Sequence, residues 1–323
     1  MRYAIRHVTQ YRYTSPVAES VTEVRMQPVT TVRQRCVAFR LQVQPLATLF
    51  TFQDHQGNQV HHFSQPAPHD ELVIVAESEV EVSPPPPFPA ALAPGDWGRI
   101  DARTAGGEHW DLLMPSEMTA STPLLDALAN ELDVARRGDP LTVLLALNSA
   151  LYRTIAYDAQ STRVDSPLDE ALAQRRGVCQ DFSHVMLGLV RNRLRLPCRY
   201  VSGYLYPRHD DHSTPGATHA WVEVWLPGLE WVGFDPTNNI LAGERHVQVA
   251  VGRDYQDVPP TRGVFKGGAG SELTVAVRVH PCDESGRHSG LDQNVERPAY
   301  RATIEELQSR YTQAVLAIQM QQQ

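Results

Sequence analysis

Hydrophobic and polar residues alternate along the first part of the chain with a period of two, the period of strands that bury one face. The alternating positions are Tyr3, Ile5, His7 and Thr9, then Val37, Phe39, Leu41 and Val43, and later Val73, Val75, Val80 and Val82. Turn residues at Asp54–Asn58 separate two of these runs. The pattern predicts an all-β unit over residues 1–82, organised as a β-sandwich.

A proline-rich segment, SPPPPFPAALAPGDWG at residues 83–98, interrupts the alternation. Successive prolines are excluded from helix interiors and from central strands. We therefore expect a domain boundary here, with an N-terminal β-sandwich domain over residues 1–95.

Apolar residues after the boundary recur at helical spacing. Three helices are predicted to start where a capping residue precedes a proline, at Thr122, Asp139 and Ser166. A fourth helix, ended by Pro197, has one apolar stripe: Phe182, Val185, Met186, Leu189, Val190 and Leu194.

Strands and loops follow the fourth helix. The predicted strands cover residues 198–205, 218–226, 231–235 and 272–279. Residues 252–268 are expected to be mostly loop, and an amphipathic helix is expected near 300–318. The chain is therefore predicted to be an α+β protein with a core domain at 96–282 and a C-terminal extension at 283–323.

Charge and composition narrow the class of protein. The net charge is −8, which argues against a nucleic-acid binder, because binding phosphates requires clustered Lys and Arg. No run of 18 apolar residues is present, and the N-terminal MRYAIRHVTQYRY lacks the apolar stretch of a signal peptide. We expect a cytoplasmic protein without membrane contact.

Four cysteines, Cys36, Cys179, Cys198 and Cys282, are scattered along the chain without a CxxC pair. Neither a zinc site nor a disulfide framework is indicated by this spacing. Cys179 differs from the other three because it is placed at the predicted N-terminus of the fourth helix. It lies three residues before Phe182, on the inward stripe, where the helix dipole favours the thiolate form of a nucleophile.

A nucleophilic thiol also needs a base, and the base needs an orienting group. His219 begins the strand that carries Trp221, and Asp235 ends the next strand. An odd-length turn, Pro227-Gly228-Leu229, would set Leu226 opposite Glu230 and place His219 and Asp235 on one face within side-chain reach. A two-residue turn would place them on opposite faces. The triad hypothesis, in which Cys179, His219 and Asp235 act together, therefore predicts the odd-length turn.

The segments GVCQDFSH, CRYVSGY, THAWVEVWLPG and WVGFDPTNN together resemble the transglutaminase-like superfamily, which has a papain-like fold. TQYRYTSPVAES and DHQGN are similar to the β-sandwich domain of bacterial members, and the likeness extends over about residues 1–280. The resemblance implies that Cys179 is the nucleophile, His219 the base and Asp235 the acid that orients it.

Other roles at this site are less determined. The Cys179 N–H is expected to be one oxyanion donor; animal members use an upstream tryptophan as the second, but residues 140–178 contain none. Tyr152, Gln180 or another backbone N–H are the alternatives. Trp221 could shield the thiol and imidazole from water. Asp181 is favourable at the helix N-terminus because of the helix dipole. Asn238 could have no role beyond shaping a turn. The chemistry requires no metal or organic cofactor, and none is expected. Animal members are calcium-dependent, but no acidic calcium loop is visible in this sequence.

Three functions are compatible with these residues. If water resolves the thioester, the chain is a cysteine peptidase or amidase, which the resemblance to bacterial members favours. If an amine resolves it, the chain is a protein-glutamine transglutaminase. A non-catalytic peptide-binding module is the third alternative. The expected partner is a peptide or protein substrate, and a homo-oligomer stays open.

Overall fold

The structure is a computed structural model that describes residues 1–282 and 300–303. Its strands are β1 (Arg2–Val17), β2 (Glu19–Val24), β3 (Gln34–Gln44), β4 (Phe50–Gln53), β5 (Gln59–Gln65), β6 (His69–Val82), β7 (Ala156–Tyr157), β8 (Arg176–Gly177), β9 (Cys198–Leu205), β10 (His219–Leu226), β11 (Glu230–Asp235), β12 (Ile240–Leu241), β13 (His246–Gly252), β14 (Thr261–Lys266), β15 (Ser271–Pro281) and β16 (Tyr300–Thr303). Its helices are α1 (Asp96–Ala105), α2 (Trp110–Leu113), α3 (Pro123–Glu131), α4 (Pro140–Thr154), α5 (Leu168–Gln174) and α6 (Cys179–Leu189), which continues as a π-helical turn over Val190–Leu194.

Two antiparallel sheets form the N-terminal part of the molecule. One has the strand order β16-β15-β1-β6-β3, and the other has the order β14-β2-β5-β4. Side chains of both sheets share a hydrophobic core made of Val24, Met26, Val43, Phe63, Leu72, Ile74 and Ala76. The predicted β-sandwich is therefore confirmed, and its period-two pattern arises because one face of each strand is buried.

The sandwich includes two strands from late in the chain. Strand β15 pairs with β1 from Tyr3↔Pro281 to Tyr13↔Ser271, and β14 pairs with β2. The expectation that residues 252–268 are mostly loop is wrong over β14, whose residues are largely exposed and so show little hydrophobic alternation. The division at residues 95 and 282 stays a prediction, but sheet pairing groups β14 and β15 with the sandwich.

Strand β1 also joins the sandwich to the rest of the chain. Tyr3 and Ile5 belong to the large hydrophobic cluster that fills the core domain, whereas Tyr11 and Tyr13 pack in the sandwich. Between them, the His7 Nδ1 atom lies 3.0 Å from the Tyr204 hydroxyl of β9. Strand β1 therefore contributes residues to both hydrophobic cores, and the contact between His7 and Tyr204 lies between them.

The predicted helix starts are confirmed at α3, α4 and α5. Thr122 Oγ1 accepts a hydrogen bond from Leu125 N–H at 3.1 Å, and Asp139 caps α4 in the same way. Helix α5 begins one residue after Pro167. Helices α1 and α2 were not predicted. Helix α1 starts within the segment 83–98, but after its last proline, Pro94, so no proline lies in the helix.

The core domain is built on a five-stranded antiparallel sheet of order β12-β11-β10-β9-β13. Helix α6 packs on this sheet against β10 and β9. Its predicted apolar stripe, from Phe182 to Leu194, is fully buried. The α+β fold class is confirmed.

The C-terminal extension is described only in part. Residues Tyr300–Thr303 form β16, which pairs with β15, so the first four residues of the helix predicted near 300–318 are a strand. The remainder of that predicted helix lies outside the described residues.

Candidate active site

Helix α6 begins at Cys179, which is half-buried, as the sequence predicted. Asp181 closes the helix start: its Oδ2 accepts a hydrogen bond from Val178 N–H at 2.8 Å and another from the Thr162 hydroxyl. Burial raises the Asp181 pKa to about 6. A Cβ atom at Gly177 would lie 2.6 Å from the Asp181 Cβ, so glycine is needed beside this carboxylate. Asp181 therefore stabilises the start of α6, and this helix start positions the Cys179 thiol.

The turn between β10 and β11 has the odd length that the triad hypothesis requires. Leu226 pairs with Glu230, and Val222 pairs with Phe234. Gly228 and Glu230 adopt left-handed conformations, with φ of 77° and 58°. This register brings His219 and Asp235 to one face, and His219 Nε2 lies 2.8 Å from Asp235 Oδ2.

Asp235 is fully buried and its carboxylate accepts several hydrogen bonds. Its Oδ1 accepts from the backbone N–H groups of Thr237 and Asn238, at 3.0 and 3.2 Å. Its Oδ2 accepts from His219, from Asn238 Nδ2 at 2.8 Å and from His246 Nε2 at 3.2 Å. Burial alone would raise the Asp235 pKa, but the two histidines lower it, so the carboxylate is ionised.

His219 is buried beside this carboxylate. Burial alone would lower its pKa, but Asp235 and, more weakly, Cys179 raise it to about 10. Because Nε2 is bonded to Asp235, the remaining ring nitrogen, Nδ1, is the atom available to the Cys179 thiol; it has no nitrogen or oxygen partner among the described residues. The imidazole therefore lies between the carboxylate of Asp235, which favours its protonated form, and the sulfur of Cys179.

His246, on β13, was not identified from the sequence. Its Nδ1 accepts from Gly243 N–H at 3.2 Å, so Nε2 carries the proton that it donates to Asp235. Burial lowers the His246 pKa, which keeps this second imidazole neutral. Alternating valines in HVQVAV could have predicted the strand, but a single histidine at its start gives no signal of a role at Asp235.

Asn238 does more than shape a turn. While its Nδ2 donates to Asp235, its Oδ1 accepts from the backbone N–H groups of His212 and Ser213, at 2.8 and 3.3 Å. One amide therefore connects the carboxylate to the loop over residues 207–218, which leads into His219.

Comparison with known proteins shows which family the chain belongs to. Residues 3–81 match the family model described as the bacterial transglutaminase-like N-terminal region, and residues 126–236 match that of the transglutaminase-like superfamily. An uncharacterized protein of Mycobacterium tuberculosis is 36% identical over 308 residues, covering 89% of this chain and 95% of the relative. The chain belongs to the transglutaminase-like superfamily.

Two further similarities extend this assignment. An uncharacterized protein of Mycobacterium leprae is 32% identical to this transglutaminase-like chain over 281 residues, covering 86% of it and 98% of the relative. A solved structure from Cytophaga hutchinsonii, of a protein that has been proposed to be a cysteine protease, has a TM-score of 0.68 at 20% identity. It covers 94% of this chain and 97% of its own. Sandwich and papain-like core thus recur together in one solved fold.

The substrate-binding residues predicted for this transglutaminase-like chain have separate positions. Trp221 is 1% exposed and stacks on His219, with ring centroids 6.1 Å apart. Tyr152 stacks on His212, and its hydroxyl lies 2.9 Å from His212 Nε2. Gln180 donates from Nε2 to the Val164 carbonyl at 2.8 Å. Their roles in substrate binding stay predictions.

Three buried side chains of this site are of types that also bind metals. The ligand atoms of His219, Asp235 and His246 all lie within 4.8 Å of one another. The 2.8 Å separation between His219 and Asp235 is that of a hydrogen bond, whereas two ligands of one tetrahedral zinc ion lie about 3.3 Å apart. The geometry therefore suits a hydrogen-bonded network, and the absence of a metal stays a prediction.

The helices within residues 1–282 differ from membrane spans. None of them combines the length and the apolar character that a membrane span requires.

Proposed function

We propose that the chain is a cysteine-dependent acyl-transfer enzyme acting on peptide or protein amide bonds, with hydrolysis as its outcome. One observation carries the proposal: His219, bonded to the buried carboxylate of Asp235, has its other ring nitrogen available to Cys179 at the start of α6. Cys179, His219 and Asp235 are the proposed catalytic residues.

Acylation is the first half of the proposed reaction. Cys179 Sγ attacks the amide carbonyl, and the oxyanion is stabilised by the Cys179 backbone N–H, which has no intrahelical acceptor at the first helical position. The C–N bond then breaks, the leaving amine takes the proton from His219, and a thioester remains. Asp235 stays ionised and holds the imidazole in place.

Deacylation returns the enzyme to its starting state. His219, now neutral, takes a proton from water as the water oxygen attacks the thioester carbonyl. The C–S bond breaks, the carboxylic acid leaves, and the imidazolium and thiolate are restored. The proposed chemistry uses neither a metal nor an organic cofactor.

The transglutaminase alternative differs only in which nucleophile reaches the thioester, and the binding module would lack turnover. The proposed partner is a peptide or protein substrate, without nucleic acid or membrane. Location in the cytoplasm stays a prediction, and a homo-oligomer stays open.

Mass spectrometry of a peptide library incubated with the protein, with and without a primary amine, tests the proposal. Hydrolysis gives cleaved or deamidated peptides, whereas amine transfer gives adducts. Cys179→Ala should abolish every product, and Cys36→Ser, at a half-buried strand position of the sandwich, should retain them all. Unchanged peptides under every condition would support the binding module instead.

A further inference from the structure

A cavity of about 340 Å³ lies beside His219 and is not used by the chemistry described above. It is lined by the end of β9, the loop over residues 207–218, the start of β10 and residues 276–280 of β15. The sandwich therefore supplies one wall of a space that touches the proposed base.

The cavity is fixed in place by a backbone contact. Val277 N–H of β15 donates to the Gly216 carbonyl at 2.8 Å, which holds the loop against the sandwich. Leu205, Ala276 and Val277 are buried at its inner end, whereas Thr214 and Pro215 are exposed at its outer end. The space is thus a preformed recess with an opening to solvent.

One residue of the cavity lining contacts a neighbour of the thiol. Thr214 Oγ1 accepts a hydrogen bond from the Tyr157 hydroxyl at 3.1 Å. Burial and then the neighbouring Cys179 raise the Tyr157 pKa, so Tyr157 lies near the thiol. The cavity lining therefore includes the proposed base, His219, and a residue, Thr214, that is hydrogen-bonded to a neighbour of the thiol.

The chemistry of acyl transfer indicates that the amine half of the substrate lies at this cavity. The leaving amine must take a proton from His219, and an entering amine must give its proton to the same atom. A group attached to that amine nitrogen lies on the His219 side, and the cavity borders His219. Its lining includes the apolar residues Leu205, Ala217 and Val279 together with the basic residues Arg278 and His280.

We propose that this cavity binds an apolar side chain on the amine side of the scissile bond. The inference rests on the proposed function and deepens it, because it names the class of leaving group. In the reverse direction the amine nitrogen attacks the thioester, its proton passes to His219, and the C–S bond breaks as the amide forms.

The inference is tested by measuring how the acyl-enzyme partitions between reaction with water and reaction with added amines. The probe is N-acetylglycine p-nitrophenyl ester, whose burst of nitrophenol reports acylation, followed by competition between water and added amines. Leucinamide should trap the acyl group at least about tenfold better than glycinamide, a discrimination typical of apolar pockets.

Substitutions in the lining provide the controls. Ala217→Trp should fill the cavity and reduce the preference for leucinamide to about onefold, whereas Ala217→Ser keeps the size and should keep the preference. If the tryptophan variant fails to fold, Val279→Ala enlarges the space and should shift the preference from leucinamide toward phenylalaninamide.

The outcomes separate the two proposals. A burst in the native protein with equal trapping of all amines would overturn the cavity assignment and leave the proposed function standing. Absence of a burst would overturn the proposed function. In that case, saturation-transfer NMR of leucinamide with Cys179→Ala tests whether the cavity binds an apolar side chain. Binding that Ala217→Trp removes supports the cavity in that case, and absence of binding overturns it.

Discussion

His246 Nε2 lies 3.2 Å from Asp235 Oδ2, the oxygen that also receives the hydrogen bond of His219. Because the Gly243 N–H occupies Nδ1, the His246 ring donates to the carboxylate as a neutral group. A neutral donor fixes the carboxylate without competing for its charge, so the ion-pair partner of Asp235 is His219.

Replacing His246 should therefore impair the reaction through Asp235. His246→Leu removes a donor to a buried charged acceptor, and we expect kcat/KM to fall about tenfold to a hundredfold. His246→Gln, which retains an N–H donor, should recover part of that loss. The rate of Cys179 alkylation, measured with the thermal midpoint of each variant, distinguishes this positioning role from a loss of folding. Native activity in the leucine variant would contradict it.

Selective alkylation of Cys179 is the second prediction. Cys198 is fully buried, and burial raises its pKa to about 11, so it should resist iodoacetamide in the folded protein. At pH 7 we expect Cys179 to react at least about tenfold faster than the other three cysteines. His219→Ala should reduce the advantage of Cys179 over Cys36 and Cys282, which are also half-buried. Peptide mapping after timed alkylation measures it, and equal rates at all four cysteines would rule out an activated thiol.

Two substitutions of Asn238 separate its contacts. Asn238→Ala loses the donor to Asp235 and the acceptor for the loop at His212 and Ser213, so both kcat and KM should change. Asn238→Asp keeps an acceptor for the loop but places a second carboxylate against Asp235, so kcat should fall with a smaller change in KM. Steady-state kinetics on a peptide identified by mass spectrometry test the split. Identical kinetics in the two variants would argue against a double role for Asn238.

The sequence could predict those parts of the molecule that local chemistry determines. Alternation along β1 and the capping of α4 by Asp139 follow from burial and from unsatisfied helix N–H groups, so both were predictable. The register of β10 and β11 followed from the hypothesis of a catalytic triad rather than from the turn itself, because only the three-residue turn places Asp235 on the same face as His219.

Contacts between distant segments could not be predicted in the same way. His246 and Asn238 act on Asp235 through the order of strands in the sheet, and single residues give no signal of that order. Strand β14 was missed because its exposed residues lack a hydrophobic period. The cavity beside His219 depends on β15 joining the sandwich, which is a long-range pairing.

Arg191 should be important for stability. Its side chain is fully buried and donates to carbonyls of Leu112, Cys198 and Arg253 and to the Thr119 hydroxyl. Arg191→Met leaves these acceptors without a donor, and we expect a loss of about 3–5 kcal/mol in the free energy of unfolding. Arg191→Lys keeps the charge but not the planar geometry, so it should recover less than half of the loss. Urea unfolding of both variants measures this; a loss below about 1 kcal/mol in Arg191→Met would contradict the role.

Acid should destabilise the protein through its buried neutral histidines. Burial lowers the pKa values of His7 and His184 to about 3, whereas the ordinary histidine value is 6.5. Between these values the unfolded chain binds protons that the folded chain does not, so the free energy of unfolding falls as the pH falls from 6.5 toward 3. Each histidine should contribute a slope of about 1.4 kcal/mol per pH unit.

His7→Gln isolates one of these two contributions. Glutamine does not titrate and can retain a hydrogen bond to the Tyr204 hydroxyl, so the variant should lose about 1.4 kcal/mol per pH unit of the slope. Asp181 titrates in the same range with the opposite sign, since its pKa is raised, but it is present in both proteins and cancels in the difference. Urea unfolding at several pH values from 6.5 down to 4 measures the two curves. Parallel curves for the variant and the native protein would show that His7 already binds a proton in the folded state.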